Sequence, residues 1–163
     1  MLKQDNSIRF LMGGMEVNHS ELKAVIEELG IRNNVEFAGI IDPQEVPSWI
    51  KQGDVGVIPY EVNRFTNSTV SNKLFHYMAA GLPVLSTDMV PTRRIIEEVK
   101  CGKIIPLDST YQEIAEIIME MKNSLKERKA MGQRAIQAIR AKYNWEVDFD
   151  RALSSLERLM HGN

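Results

Sequence analysis

Short apolar runs alternate with longer amphipathic stretches along the chain. The apolar runs are Ile8–Met12, Val35–Ala38, Val55–Ile58, Pro83–Ser86 and Gly102–Pro106, the first three stopped by Gly13-Gly14, Gly39 and Pro59. Runs of this length without strict alternation read as strands buried on both faces of a parallel sheet. Between them the apolar positions recur at helical spacing. Leu22, Val25, Ile26 and Leu29 share one face, with Gly30 as a stop. Asp42-Pro43 opens a short helix reaching Trp49 and Ile50, Pro43 suiting a first-turn position. Asn72–Ala80 and Thr92–Val99 predict two more helices. Asp108–Thr110 caps a helix carrying Ile114, Ile117, Ile118 and Met121. Leu125, Met131, Ile136 and Ile139 form a further stripe. Tyr143-Asn144-Trp145 interrupts it before a last helix through Leu159.

Strands that alternate with helices imply parallel pairing, because a parallel crossover needs a helix-sized connection. Right-handed crossovers place helices on both faces. The predicted fold is α/β: a doubly wound, Rossmann-like parallel sheet of about five strands, helices on both faces, and a C-terminal helical segment. Such sheets bind ligands beyond the carboxyl ends of their strands. The loops after Met12, Ala38, Ile58 and Ser86 therefore share one functional edge.

Composition narrows the class. The 163 residues suit one domain with a core of its own. A net charge of -2 disfavours a general nucleic-acid binder. The lone Cys101 makes no internal disulfide and no thiolate cluster, which suits a reducing, cytoplasmic setting. No stretch approaches the ~18 apolar residues of a membrane span. The basic stretch from Lys122 to Arg140 reads as a solvated helical face, with an anionic membrane surface as the alternative. Trp49 and Trp145 are expected to serve packing, and Cys101 to be a structural thiol.

The most informative segment is Thr69-Val70-Ser71-Asn72-Lys73-Leu74-Phe75-His76-Tyr77-Met78-Ala79-Ala80-Gly81-Leu82-Pro83. It predicts a helix starting near Ser71 at the functional edge. Ser71 or Thr69 can cap its first amides, and those amides with the helix dipole suit a diphosphate. Lys73 lies in the first turn, where the dipole disfavours a cation, and a facing phosphate would offset that cost. A surface lysine beside a serine cap explains the same residues. His76 shares the face of Lys73 and can meet a ribose hydroxyl, or simply pack near the sheet edge. Asp88 is read either as a helix cap or as a sugar contact.

KLFHYMAAGLPVLSTD resembles the retaining glycosyltransferases of GT-B architecture, specifically group 1 (family 4). Leu11-Met12-Gly13-Gly14, Leu29–Gly39, Glu45–Trp49, Asp54–Pro59, Cys101–Ile105 and Tyr143–Glu146 are similar to further family segments in the same order. The resemblance covers nearly all of 1–163 and concerns the C-terminal, nucleotide-sugar-binding domain of a two-domain enzyme. The family's first strand of that domain and its basic phosphate turn lack counterparts before Ile8. The chain is thus expected to be a fragment or a separately encoded half. Residues 143–163 match the helix that crosses back toward the N-terminal acceptor domain.

The resemblance implies a donor site of Gly39, Ile40, Thr69, Val70, Ser71, Asn72, Lys73 and His76. Thr69 to Lys73 approach the diphosphate, and Gly39 and Ile40 lie against the nucleobase, where a residue without bulk is needed. Typical members carry two glutamates separated by seven residues, and here Ser68 and His76 stand in their places. The catalytic residues stay unassigned. The implied substrate is a UDP- or GDP-linked sugar, with no metal expected where protein groups neutralise the departing diphosphate. Implied partners are the missing acceptor domain and, for the whole enzyme, peripheral attachment at the inner membrane face. A non-catalytic interaction module and half of a nucleotide-sugar epimerase remain the alternative readings.

Overall fold

A computed structural model describes residues 5, 7–14 and 19–161. The chain divides into two compact units, residues 1–49 and 50–163.

In the first unit, β1 (Phe10–Gly13) pairs in parallel with β2 (Val35–Gly39), Phe10 opposite Val35 and Met12 opposite Phe37. The register slips after Met12, and the Gly14 amide donates to the Gly39 carbonyl at 2.8 Å. Helix α1 (His19–Leu29) buries Ile26, and Val35 is buried at the start of β2. A 3-10 turn at Arg32–Asn34, absent from the sequence pattern, leads into β2. The predicted helix from Asp42 begins later. Asp42 first builds a turn, its carboxylate accepting from the Gln44 amide at 2.8 Å, and α2 is Val46–Ile50.

In the second unit, β3 (Gly56–Ile58), β4 (Val84–Thr87) and β5 (Gly102–Ile105) form a parallel sheet in that order. The five strands and their parallel sense match the sequence pattern. Their hydrogen bonding among the described residues is divided between a two-stranded and a three-stranded sheet. Helix α3 (Asn72–Ala80) joins β3 to β4, and α4 (Val90–Val99) joins β4 to β5. Helices α5 (Tyr111–Asn123), α6 (Leu125–Ala141) and α7 (Trp145–His161) follow.

Period-two alternation along β4 sends neighbours to opposite faces. Val84 joins Ile58, Leu74, Met78, Ile96 and Ala135 beneath α3, α4 and α6. Leu85 joins Ile105 and Met121 beneath α5. This sheet therefore carries helices on both faces. Cys101 is wholly buried in the larger cluster, where burial pushes its thiol up to about 11. Thr110 and Glu113 form a reciprocal capping box at the start of α5.

Two placements differ from the sequence reading. Trp145 is 76% exposed and faces Phe149 across 6.0 Å instead of entering a core. With Phe149, Leu153 and Leu156 it forms an exposed apolar stripe at helical spacing on α7. In the basic stretch, Arg128 and Arg134 have partners within the chain. Arg128 donates to the Met121 carbonyl at 2.6 Å and lies 3.5 Å from the Asp54 carboxylate. Arg134 pairs with Glu127 at 2.8 Å.

Candidate functional site

The carboxyl end of β3 opens into residues 59–70, a long connection stitched by its own side chains. The Asn63 side-chain oxygen accepts from the Phe65 and Thr66 amides at 2.9 and 3.0 Å. The Thr66 hydroxyl donates to the Glu61 carbonyl at 2.7 Å. Two contacts fix this loop to the next strand and helix. The Thr87 hydroxyl donates to the Tyr60 carbonyl at 2.7 Å, and the Asn67 side chain accepts from the Val90 amide at 2.7 Å. Asn67 thus caps α4 from a distance, where Met89 at the N-cap has no oxygen to offer.

Helix α3 starts beside this loop. Ser71 is its N-cap, with its hydroxyl accepting from the Lys73 amide at 3.3 Å. Gly81 ends it at φ 75°, a left-handed conformation that glycine adopts without a Cβ penalty. Its amide and that of Leu82 return to Met78 and Tyr77. The buried Leu74 and Met78 anchor α3 on the sheet.

Between loop and helix lies a cleft of about 500 Å³. Thr69, Val70, Ser71, Asn72 and Lys73 all line it, so the structure brings together five of the eight site residues expected from sequence. Tyr60, Phe65, Thr66 and Met89 complete the lining and were not singled out beforehand. Tyr60 had a legible signal: it follows Pro59 directly beyond a strand, on the expected functional edge. Lys73 carries the only formal charge among the lining residues.

The Lys73 ammonium donates to the Tyr60 hydroxyl at 2.5 Å and lies 4.9 Å from the centre of the Tyr60 ring. That hydrogen bond lowers the Tyr60 phenol below its ordinary 10.0, against the opposing effect of burial and with help from Ser71. Tyr77, beneath the site, is raised by burial and by its neighbour Tyr60, and its hydroxyl reaches the Val57 carbonyl at 3.4 Å.

The remaining expected residues lie elsewhere. His76 is exposed one turn beyond Lys73, outside the cleft lining, and Ser68 is exposed with its hydroxyl on the Phe65 carbonyl at 2.8 Å. Gly39 ends β2 in the first unit, and Ile40 follows it. No atom of the chain stands within 4 Å of a Cβ built on Gly39. Its φ of 68° is what calls for glycine there, rather than crowding within the chain. Ile40 is 78% exposed. Asp88 pairs with Arg93 of α4 at 2.7 Å instead of capping that helix. Among the described residues no group of three His, Cys, Asp or Glu is placed to hold a metal ion. No helix among them is long and apolar enough to cross a membrane.

Parallel strands, helices on both faces of the second sheet, and a cleft beyond the strands' carboxyl ends define a Rossmann-like domain of the GT-B type. The chain belongs to the family of glycosyl transferases group 1, which it matches over residues 1–123. It is 31% identical over 86 residues to the putative teichuronic acid biosynthesis glycosyltransferase TuaH of Bacillus subtilis (strain 168), covering 53% of this chain and 21% of that protein. Its fold is similar to that of S. aureus TarM, solved with Fondaparinux, alpha-GlcNAc-glycerol and UDP. The TM-score is 0.75 at 20% identity, over 94% of this chain and 30% of that one. It is also similar to the C-terminal domain of a group 1 family protein (LpcC) from Francisella tularensis, with TM-score 0.66 at 19% identity, over 86% of this chain and 90% of that one. The chain spans 21% and 33% of the length of the two curated relatives it matches.

Proposed function

We propose that this chain is the donor-binding half of a retaining glycosyltransferase. The whole enzyme would move a hexosyl group from a UDP- or GDP-linked sugar to a polysaccharide or glycolipid precursor. The observation that carries this reading is the cleft beyond β3, capped by Ser71 and bearing one formal charge, the cation Lys73. Breaking a sugar–nucleotide bond leaves negative charge on a diphosphate. Fixed dipoles and a cation aimed at that charge lower the barrier. In this reading Thr69 to Lys73 bind the diphosphate without a metal. The family resemblance assigns Gly39 and Ile40 to the base and His76 to the ribose.

The exposed apolar stripe of α7 supports a missing acceptor domain. A helix that buries nothing on its apolar face gains little stability from its own unit. The isolated chain should accordingly bind donor nucleotide weakly and transfer no sugar. The whole enzyme is proposed to work in the cytoplasm, attached peripherally at the inner membrane face.

Calorimetric titration of the chain with UDP, GDP and their sugars tests the reading. Lys73→Ala should weaken UDP or GDP about tenfold, the scale of one charge-assisted hydrogen bond, and leave the nucleoside unaffected. Absence of binding to every nucleotide, or equal loss for nucleotide and nucleoside, would overturn it. Ser68 and His76, both outside the cleft lining, favour one second reading: a non-catalytic module, which would bind a protein partner and no nucleotide.

A further inference from the structure

Lys73 occupies the second position of α3, where the helix dipole repels a cation. The side chain is exposed, yet its ammonium has a partner within the chain. It donates to the Tyr60 hydroxyl at 2.5 Å and lies over the Tyr60 ring. Tyr60 itself is held firmly. Pro59 restricts the backbone before it, and Thr87 of β4 clamps its carbonyl at 2.7 Å. Ser71 lines the same cleft, so three polar side chains, Tyr60, Ser71 and Lys73, share its wall.

We propose that Tyr60 is a positioning and specificity residue of the donor site, which holds the Lys73 ammonium at the cleft wall and adds its own O–H as a second donor to the diphosphate. The inference rests on the reading of this cleft as the donor site. A phenol carries one donor hydrogen and acceptor lone pairs. The lone pair accepts from Lys73, which leaves the O–H for an oxygen of the ligand. A phosphate offers several acceptor oxygens, and donors that converge from fixed positions favour it over a neutral group. Tyr60 thus favours diphosphates over nucleosides without carrying a charge itself. The titratable groups facing it are Lys73 and Tyr77, both from α3. Without ligand, Lys73 draws the phenol toward ionisation. A bound diphosphate sets negative charge beside it and claims the ammonium, so the phenol should become harder to ionise.

The test uses the whole 163-residue chain with UDP, GDP and their nucleosides. Phenolate absorbance is followed against pH for the wild type and Tyr60→Phe, with and without nucleotide. The titration lost in the variant is that of Tyr60, and it should move upward when UDP or GDP is bound to the wild type. Calorimetry should show a loss of about three- to tenfold for the diphosphate in Tyr60→Phe, and none for the nucleoside. The variant keeps the ring, and an unchanged thermal midpoint establishes that it folds. The ligand-dependent shift in the wild type needs no variant at all. If nucleotide binds the wild type but neither affinity nor titration depends on Tyr60, this inference fails and the donor reading stands. Equal loss for nucleoside and diphosphate also overturns it, leaving Tyr60 a shaping role only. If no nucleotide binds the wild type, both fall together.

Discussion

The position of α3, and with it the cleft, depends on a close approach between two backbones. Gly132 of α6 faces Gly81 at the end of α3, and a Cβ built on Gly132 stands 2.0 Å from the Gly81 carbonyl oxygen. Ordinary contact begins near 3.4 Å. In Gly132→Ala the two helices must therefore part by roughly an ångström or more, since neither side of the contact is a flexible side-chain end. Overpacking of this kind costs ~1–3 kcal/mol, and backbone against backbone belongs at the upper end. Alanine in a helix interior returns about 1 kcal/mol relative to glycine. The net loss is about 2 kcal/mol, which lowers the thermal midpoint of a chain this size by about 4–8 °C. Thermal unfolding followed by far-ultraviolet circular dichroism measures it. Gln133→Ala, on the exposed face of the same helix, is the control and should stay within about 0.5 kcal/mol of wild type. A Gly132→Ala midpoint equal to or above wild type would refute the reasoning, because propensity would then outweigh the contact.

Two further outcomes follow from buried and paired groups. Cys101, raised to about 11 by burial, should resist thiol reagents at mildly alkaline pH in the native state and react once the chain is unfolded; rapid native labelling would contradict its placement. Because the unfolded thiol ionises near 9.0 and the folded one only near 11, the thiol's contribution to stability is lost as the pH rises across that interval. Glu98 is held below its ordinary 4.5, first by the hydrogen bond from Lys142 and then by the Tyr143 hydroxyl at 3.2 Å. Its stabilisation is present above pH 4.5 and lost as the pH falls through the folded value. In urea titrations the gap between wild type and Glu98→Gln should narrow on going below pH 4.5, and a gap independent of pH would refute the pairing.

Much of the fold was legible because it is written in short-range patterns. Val84-Leu85 reads as a strand from its apolar character and the Gly-Leu-Pro that precedes it. The start of α5 was visible in Thr110, which can satisfy an amide three residues on. The Ser71 cap and the five cleft residues from Thr69 to Lys73 were visible for the same reason: a helix start at the carboxyl edge of a parallel sheet is a local event. His76 lies outside the cleft lining, because sharing a helical face with Lys73 does not by itself place a side chain in the same cleft. The left-handed backbone angle of Gly39 is a further reason for glycine there, one that its sequence neighbours do not show. Trp145 was expected to serve packing, but it lies exposed on α7.

The sequence by itself thus determined the order of strands and helices, the caps of α3 and α5 and the edge where the cleft opens, since each depends on residues a few positions apart. The family followed from several such segments in order. Only the tertiary structure decided that Lys73 meets a phenol thirteen residues earlier in the chain. It also decided that Asn67 caps a helix starting at Val90, and that Gly132 touches Gly81. Those contacts join elements distant along the chain, and close packing of whole helices and loops on the sheet selects them, a constraint that no local pattern encodes.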